Sequence, residues 1–439
     1  MKKFLNISLL VLIALSSVSL VSCNNETSEI FDEDAVARLD KAKAEYTQIL
    51  TDKGGKWQME YFSNDEEPGY IYVMTFRTDG SVTISGENKW LGSLGSMAYG
   101  SATSLWEVIA DNGPVLSFNS YNKYFHVFAD PEDIPSTDDE ADNEQGYGHR
   151  GDYEFNLMKY SNDTLYLSGK KHGIDMIMTR IDPNYDDKVY MDEVVAMADS
   201  FFNAKIPQVY INLPNGTRYV VKNGASSILS MYKEGEDEIS TTETHNVIIT
   251  HDGLSFMTPI SLDGYTVQNF IRQADGSLLC RDDQQTTITA DNLSVVFGYK
   301  SLAWRLNNGQ FGGAYADYIT QMGDELKAYN KSTFVYAQIN YDMTKESYVL
   351  VFFVKKGANT FKPTFLMTEN VVDANHIKFN ITEADNTAAV YAQRCPAMQA
   401  LVDAIGSTTF VLTTPSLLAP VYMTMTDSGN AANYINVNL

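Results

Sequence analysis

Between residues 57 and 181 the chain alternates side chains with the two-residue period of a β-strand. The clearest run places Tyr70, Tyr72, Met74 and Phe76 on one face, and Asp79-Gly80 then turns the chain into a returning strand. Similar runs and turns follow, so this region predicts an antiparallel meander of about eight strands. A meander of that length must close or pack on a second layer to hide its edges, which indicates a barrel.

Helices are predicted at four places where apolar residues recur every three or four positions. The predicted helices span residues 34–50, 187–204, 315–329 and 397–405, and predicted strands between the last two span 334–340, 348–354, 364–367 and 376–381. The expected fold class is therefore mainly β (a β-rich α+β fold). It combines an antiparallel meander or barrel in the first half with further antiparallel sheet and two or three packing helices in the second. Expected domains are 34–183 and 184–439, the second with a further division near residue 311.

The turn sequence Asp79-Gly80-Ser81 recurs as Asp275-Gly276-Ser277, in both cases after a strand that starts with Gly-Tyr. The surrounding spacings differ slightly, so the repeat is weak. Two explanations remain open at this stage, a duplicated unit or the same hairpin chemistry used twice.

The first 22 residues are typical of an export signal. Lys2 and Lys3 precede a mostly apolar run from Phe4 to Val21, and the run ends in Ser22-Cys23. This ending resembles a bacterial lipobox, in which the cysteine becomes the lipidated first residue of the mature protein. We therefore expect a signal peptide at 1–22, lipid attachment at Cys23 and a flexible acidic tether over 23–33. The alternative is an ordinary signal peptide followed by a chance cysteine.

The predicted location is the outer membrane, with the protein on the cell surface rather than on the periplasmic face. The tether loosely resembles the acidic export signal of surface lipoproteins of Bacteroidota. The formal net charge is −24, which argues against a nucleic-acid partner because such a partner needs a basic face. Besides Cys23 the chain has Cys280 and Cys395, for which a disulfide and two buried thiols are both open.

Motifs for catalysis and cofactor binding are missing from the sequence: it contains no phosphate loop, no HExxH zinc helix and no GxSxG elbow. No catalytic residue, metal ligand or cofactor is therefore predicted. Two weaker features have ordinary structural explanations. His245 and His251 could share a strand face but lack further metal ligands, and the acidic run 130–144 could hold calcium but lacks the EF-hand pattern.

Aromatic residues beside polar loops are the candidate ligand-binding residues. Trp90 lies in a Gly/Ser-rich stretch, and Tyr121, Tyr124 and Tyr147 flank polar loops. Exposed rings of this kind can stack on sugars or other flat faces. The alternative is that these tyrosines pack against strands while their hydroxyl groups reach water.

Two resemblances extend this interpretation. Gly55-Lys56-Trp57 near the first strand resembles the entry of lipocalin-like barrels, which implies an antiparallel barrel but no ligand. The order of the lipobox, the first helix and several later motifs resembles an uncharacterised lipoprotein family of gut Bacteroidota, the domain of unknown function 4302. The later motifs include Phe125-His126, Gly151-Asp152-Tyr153-Glu154-Phe155 and Leu167-Ser168-Gly169-Lys170-Lys171-His172-Gly173. The resemblance implies a surface or periplasmic lipoprotein and transfers no catalytic residue.

The sequence therefore predicts a lipid-anchored, non-enzymatic binding or accessory protein of the cell envelope, with a glycan, a peptide or an envelope protein as partner. Two alternatives stay open. A calycin-like carrier of a small apolar ligand requires an open barrel interior lined by Tyr72, Met74, Phe76, Phe155 and Leu157. A secreted hydrolase requires a cleft that holds coupled carboxylates with perturbed pKa values.

Overall fold

The fold is mainly β, as predicted, and contains three successive antiparallel sheets. The computed structural model describes residues 34–64, 69–87, 99–129, 150–202, 205–206, 208–223 and 228–439, and for Phe202 and Asn223 only the backbone. The sheets occupy residues 56–180, 209–290 and 303–438. The three helices predicted before residue 330 and the one after it are confirmed. Their observed bounds are α1 Ala35–Thr51, α2 Asp187–Phe202, α5 Ala314–Asn330 and α7 Pro396–Ser407. Three further helices were not predicted: α3 Glu238–Thr241, α4 Leu293–Phe297 and α6 Asn386–Arg394.

The first sheet is the predicted meander, with nine strands instead of about eight. Its first strand pairs with both the second and the ninth, so the sheet curls around on itself, and its edge strands β4 and β5 follow each other in the chain. Helix α1 packs on β5 and β6. The strands are β1 Lys56–Tyr61, β2 Tyr70–Phe76, β3 Ser81–Glu87, β4 Tyr99–Leu105, β5 Glu107–Ala110, β6 Pro114–Ser117, β7 Glu154–Ser161, β8 Thr164–Gly169 and β9 Asp175–Arg180.

Aromatic side chains fill the interior of this first barrel. The Tyr61 ring lies 5.3 Å from both Phe125 and Phe128 and 6.0 Å from Tyr72, measured between ring centroids. The five side chains expected to line a carrier cavity, Tyr72, Met74, Phe76, Phe155 and Leu157, are all buried within the same apolar cluster. The expectation of an open interior, which the carrier alternative requires, is therefore wrong for this barrel, because the aromatic rings occupy the space.

The second sheet forms a closed barrel of eight short strands, in which β10 pairs with β17. Its interior is packed with apolar residues that include Leu229, Val247, Phe256 and Phe270. Closure was not predicted, since three of its strands are only three or four residues long. The strands are β10 Val209–Asn212, β11 Arg218–Asn223, β12 Ile228–Lys233, β13 Glu243–Thr250, β14 Gly253–Leu262, β15 Tyr265–Arg272, β16 Leu278–Cys280 and β17 Thr287–Ala290.

The third sheet contains the four strands predicted in this part of the chain and six more. A pairing between Arg305 and Asn438 joins its outermost strand to its last one. Helices α5 and α7 pack together with these strands in one apolar core. The strands are β18 Ala303–Asn307, β19 Phe311–Gly312, β20 Thr333–Asp342, β21 Ser347–Lys356, β22 Asn359–Phe361, β23 Thr364–Val371, β24 His376–Ala384, β25 Thr409–Thr413, β26 Tyr422–Asp427 and β27 Tyr434–Asn438.

The repeated turn sequence has the same geometry at both places. The carboxylate of Asp79 accepts hydrogen bonds from the amide and the hydroxyl group of Ser81, at 2.9 and 2.7 Å. Asp275 does the same with Ser277, at 3.0 and 2.6 Å. The glycine between the aspartate and the serine has a positive φ in both turns, +81° at Gly80 and +75° at Gly276. Residues with a side chain rarely adopt such angles. Shared hairpin chemistry is thus sufficient to explain the repeat.

Cys280 and Cys395 are both free and buried. Cys280 lies in the core of the second barrel and Cys395 in the core of the third sheet. Of the two alternatives, a disulfide or two buried thiols, the structure therefore shows two buried thiols. Burial raises the pKa of both, that of Cys395 to about 11. Within the described ranges, none of the helices is long and apolar enough to cross a membrane.

Candidate functional site

The predicted ligand-binding tyrosines have different environments. Cys23, Trp90 and Tyr147, and the acidic run 130–144, lie outside the described residues. Tyr121 is 59% exposed, as expected of a stacking residue, whereas Tyr124 is 8% exposed. The expectation of an exposed ring at Tyr124 is wrong, because its ring packs directly over Gly100, where a Cβ atom would come within 2.2 Å of it.

Tyr121 belongs to a stack of three rings at the surface of the first barrel. The imidazole ring of His126 makes tilted contacts with the rings of both Tyr121 and Tyr153, with centroid distances of 5.5 and 5.3 Å and interplanar angles of 37° and 34°. His126 is buried, whereas Tyr153 is 45% exposed. We call Tyr121, His126 and Tyr153 the aromatic platform.

The middle ring of the platform is held by the backbone at both nitrogens. His126 Nδ1 lies 3.1 Å from the amide nitrogen of Asn122, and Nε2 lies 3.3 Å from the carbonyl oxygen of Phe118. Asn122 also fixes the turn that carries these residues, because its side chain binds the carbonyl oxygen of Ala102 and the amide of Tyr124, both at 3.1 Å. The imidazole ring of His126 therefore has a fixed orientation before any ligand arrives.

A polar cleft of about 390 Å³ borders the platform at Tyr153. Lys170 lies at its side between two carboxylates, 3.1 Å from Asp111 and 3.0 Å from Glu154. The hydrogen bonds that Lys170 donates to Glu154 and Asp111 raise the pKa of Lys170, so it stays charged. The residues that line the cleft are Ala129, Gly151, Asp152, Tyr153, Glu154, Lys170 and Lys171.

The floor of the cleft is a rigid turn organised by Asp152. This buried carboxylate accepts hydrogen bonds from the amides of Lys171 and His172, at 3.1 and 3.0 Å. Gly169 leaves just enough room for it, because a Cβ atom there would lie 2.1 Å from an Asp152 oxygen. Asp152 therefore positions the turn, and Glu154, Lys170 and the ring of Tyr153 remain at the edge of the cleft. Phenol rings beside a polar cleft can stack on a flat apolar face and bind hydroxyl groups at its rim.

A second cleft, of about 480 Å³, lies in the wall of the second barrel where β13 and β14 separate. His245 lines it and packs edge-on against Phe256, with ring centroids 5.8 Å apart. His251 lies elsewhere, against Tyr190 and Glu193, so the two histidines do not form a common site. Among the described residues, no group of three or more His, Cys, Asp and Glu side chains could hold a metal ion.

Two carboxylates have strongly raised pKa values, as the hydrolase alternative requires. Burial raises the pKa of Glu60 and that of Glu369 to about 7. Glu60 lies on β1 and faces the second barrel, and Glu369 lies against Gly298. Neither residue lines the two clefts described above. The perturbed carboxylates and the clefts are thus in different places.

Sequence reasoning named Tyr121 but did not single out Tyr153 or His126 as a site. Both residues were contained in the motifs that carry the family resemblance, Phe125-His126 and Gly151-Asp152-Tyr153-Glu154-Phe155. Their contact could not be foreseen, because a long segment separates them in the sequence and the pairing of β6 with β7 brings them together.

A comparison with curated proteins found no match. A family model does match, over residues 27–274, a stretch that contains the first barrel, the aromatic platform and strands β10 to β15 of the second barrel. The matched stretch is more than half of the chain. By this match, the chain belongs to the family described as Domain of unknown function (DUF4302).

Proposed function

We propose that this protein is a lipid-anchored binding protein of the bacterial cell envelope that binds carbohydrate at the aromatic platform. The observation that carries the proposal is the pair of half-exposed tyrosine rings, Tyr121 and Tyr153, that both contact the ring of the buried His126. A pyranose ring has a flat face of C–H groups that stacks on such rings, and hydroxyl groups around its edge. Tyrosine suits this ligand because it offers an apolar face and a polar tip.

The polar groups beside the platform match a sugar as well. Glu154 and Asp111 present carboxylate oxygens on either side of the Lys170 ammonium group, which gives acceptors and a donor within one short stretch of surface. Neighbouring hydroxyl groups of a sugar can donate to the carboxylates and accept from the lysine. Because these two carboxylates and one ammonium group leave a local excess of negative charge and the whole chain carries −24, we expect neutral saccharides to bind better than acidic ones.

The location rests on the amino-terminal sequence. Two lysines, an apolar run and Ser22-Cys23 in that order support export followed by lipid attachment at Cys23. Several acyl chains on one cysteine would hold the protein firmly, since each buried methylene contributes about 0.8 kcal/mol. The surface is the expected face of the outer membrane, where a platform for glycans would meet polysaccharides from outside the cell.

The binding proposal is tested by affinity electrophoresis of residues 34–439 in gels that contain neutral or acidic polysaccharides, followed by calorimetry with oligosaccharides of any that retard it. We expect retardation by at least one neutral polysaccharide. Tyr153→Ala should weaken that binding at least tenfold and Tyr121→Ala somewhat less, because Tyr121 is farther from the cleft. Tyr166→Ala is the matched control, since this tyrosine is 42% exposed on β8 of the same barrel but lies outside the platform.

Three results would contradict the proposal. Absence of retardation by every polysaccharide would refute carbohydrate as the ligand class. Binding that persists in a Tyr121→Ala, Tyr153→Ala double variant would refute the platform as the site. Equal losses in Tyr166→Ala would show a general effect of removing tyrosines.

The anchor is tested separately in a bacterium that expresses the full chain. We expect radiolabelled palmitate to be incorporated into the protein but not into a Cys23→Ser variant. A protease added to intact cells should remove the wild-type protein from the surface. Labelling of the Cys23→Ser variant, or protection from the protease until the outer membrane is broken, would refute the lipid site or the surface location respectively.

A further inference from the structure

The outer face of the first strand is polar in sequence but buried in the structure. Along β1, Trp57, Met59 and Tyr61 point into the first barrel, whereas Lys56, Gln58 and Glu60 point outward. A strand that alternates in this way normally has its polar face in water. Here the three outward residues are only 6–8% exposed, because helix α2 and the second barrel cover them.

The contact between the two barrels has an apolar part and a polar part. In the apolar part, Phe62 and Ile71 of the first barrel pack with Tyr190 of α2 and Ile248 of β13. The backbones touch as well, since the amide of Gly69 donates to the carbonyl oxygen of Val247 at 3.2 Å. A Cβ atom at Gly69 would lie within 2.8 Å of Ile248, so the two barrels approach as closely as the backbone allows.

In the polar part, Lys56 and Gln58 of β1 each have a polar partner on α2, whereas Glu60 has none in the described part of that helix. Lys56 pairs with Asp187 of α2 at 2.6 Å, and Gln58 accepts a hydrogen bond from the Tyr190 hydroxyl group. The amide group of Gln58 lies 3.3 Å from an oxygen of Glu60. Among the described residues, no cationic group lies within ion-pair distance of Glu60, so this buried carboxylate has only an amide as partner.

Charged and titratable groups surround Glu60 from each element packed against it. Asp252, in the turn between β13 and β14, opposes its negative charge, and the exposed Arg281 of the second barrel attracts it more weakly. Tyr190 faces it from α2. The remaining ionisable groups of this contact are Lys56 of β1, Tyr185 before α2, Asp187 and Glu193 of α2, and His251 beside Asp252.

We propose that Glu60 is a proton-controlled latch between the two barrels: protonated, it lets α2 and the second barrel close on β1, and its ionisation loosens this contact. A neutral carboxyl group fits the buried position because it carries no charge into the contact and still accepts the hydrogen bond from Gln58. An ionised one leaves two negative charges facing each other in a water-poor contact. Contacts between domains that contain polar groups are also those that open most readily.

The direction of the pH effect follows from the pKa of Glu60. Burial, followed by the charge of Asp252, raises this pKa from 4.5 to about 7 in the closed protein. The closed state therefore holds a proton that the open state releases, so closure is strongest in acid. The extra stability is complete below pH 4.5 and is lost progressively as the pH rises to 7.

The test is hydrogen exchange of residues 34–439 followed by mass spectrometry between pH 5 and pH 8, corrected for the intrinsic pH dependence of exchange. For peptides from α2 and β13, we expect the equilibrium constant for opening to rise roughly 70-fold over this interval. Glu60→Gln should keep the protection of pH 5 throughout. Glu369→Gln is the matched control, because it removes another buried carboxylate with a raised pKa, in the third sheet, and should leave the rise unchanged.

Asp252→Asn is a second variant that tests the same idea without altering β1. Removing this negative charge should lower the pKa of Glu60 toward its ordinary value and make the rise several-fold smaller. Protection of α2 and β13 that does not change with pH in the wild-type protein would overturn the proposal. The same rise in Glu60→Gln as in the wild type would overturn it as well.

Discussion

Replacing Phe125 by alanine tests whether the first barrel is filled by its own side chains. Phe125 is 1% exposed and lies among four aromatic rings, with centroid distances of 4.7 Å to Phe118, 5.3 Å to Tyr61, 5.5 Å to Tyr72 and 6.2 Å to Phe155. Truncating a buried phenylalanine costs about 3–5 kcal/mol, and rigid rings on all sides cannot collapse into the space. We therefore expect a loss of about 4 kcal/mol in the free energy of opening of this barrel.

Hydrogen exchange of peptides from β1 and β2 measures that loss in the first barrel alone. The variant should also bind benzene, which the wild-type protein should not, because a dry cavity lined by aromatic rings accepts such a ligand. Tyr166→Ala is the control, since Tyr166 is 42% exposed on β8 of the same barrel and its loss should cost under about 1 kcal/mol. A loss below 1 kcal/mol in Phe125→Ala, or benzene binding by the wild type, would show free space in the interior and restore the carrier alternative.

Three further predictions follow from single residues. Glu369→Gln should be more stable than the wild type by about 2 kcal/mol at pH 8 and nearly equal to it at pH 4.5. Burial raises the pKa of Glu369 to about 7, so its ionisation costs stability as the pH rises. Urea unfolding at both pH values measures this difference, and a destabilised variant at pH 8 would contradict the prediction. In residues 34–439, Cys280 and Cys395 should react with Ellman's reagent only after unfolding, and recovery of fewer than both thiols would reveal a disulfide. Gly55→Ala should cost more than about 3 kcal/mol and Gly80→Ala only about 1 kcal/mol in thermal unfolding. Both glycines have a positive φ, but a Cβ atom at Gly55 would clash with the Phe76 carbonyl oxygen at 2.2 Å, whereas at Gly80 the nearest atom, the Trp106 carbonyl oxygen, is 3.8 Å away. Equal costs would refute the clash.

Local patterns predicted the elements of this fold well. Helix α1 was expected over 34–50 and spans Ala35–Thr51, because Asp34 caps it by accepting from the amide of Ala37 at 2.7 Å. The hairpin at Asp79-Gly80 formed where its turn sequence indicated. Such features depend on residues a few positions apart, which is the range over which a single sequence is informative.

Properties that depend on distant partners could not be predicted. Nothing near Tyr124 reveals that Gly100 leaves room for its ring, and nothing near Lys56, Gln58 and Glu60 reveals that a later helix and barrel cover them. On β2, the alternation correctly indicated that Tyr70, Tyr72, Met74 and Phe76 share one face, which lies in the core of the first barrel. It could not indicate that the opposite face is also buried, because the covering residues lie more than a hundred positions further along the chain.

The pairing of β18 with β27 has a consequence for the order in which parts of the chain become free to fold. In an exported chain, Arg305 leaves the translocation channel long before Asn438, its partner across the sheet. Until then β18 and β26 each lack the neighbour that β27 supplies, and their backbone groups offer an open template to other chains. All strands of the first two barrels, in contrast, are present by residue 290 and can pair as they emerge, and only Leu418 of the second barrel's core comes later. While the chain emerges, the third sheet is thus the part of the molecule most in need of a chaperone.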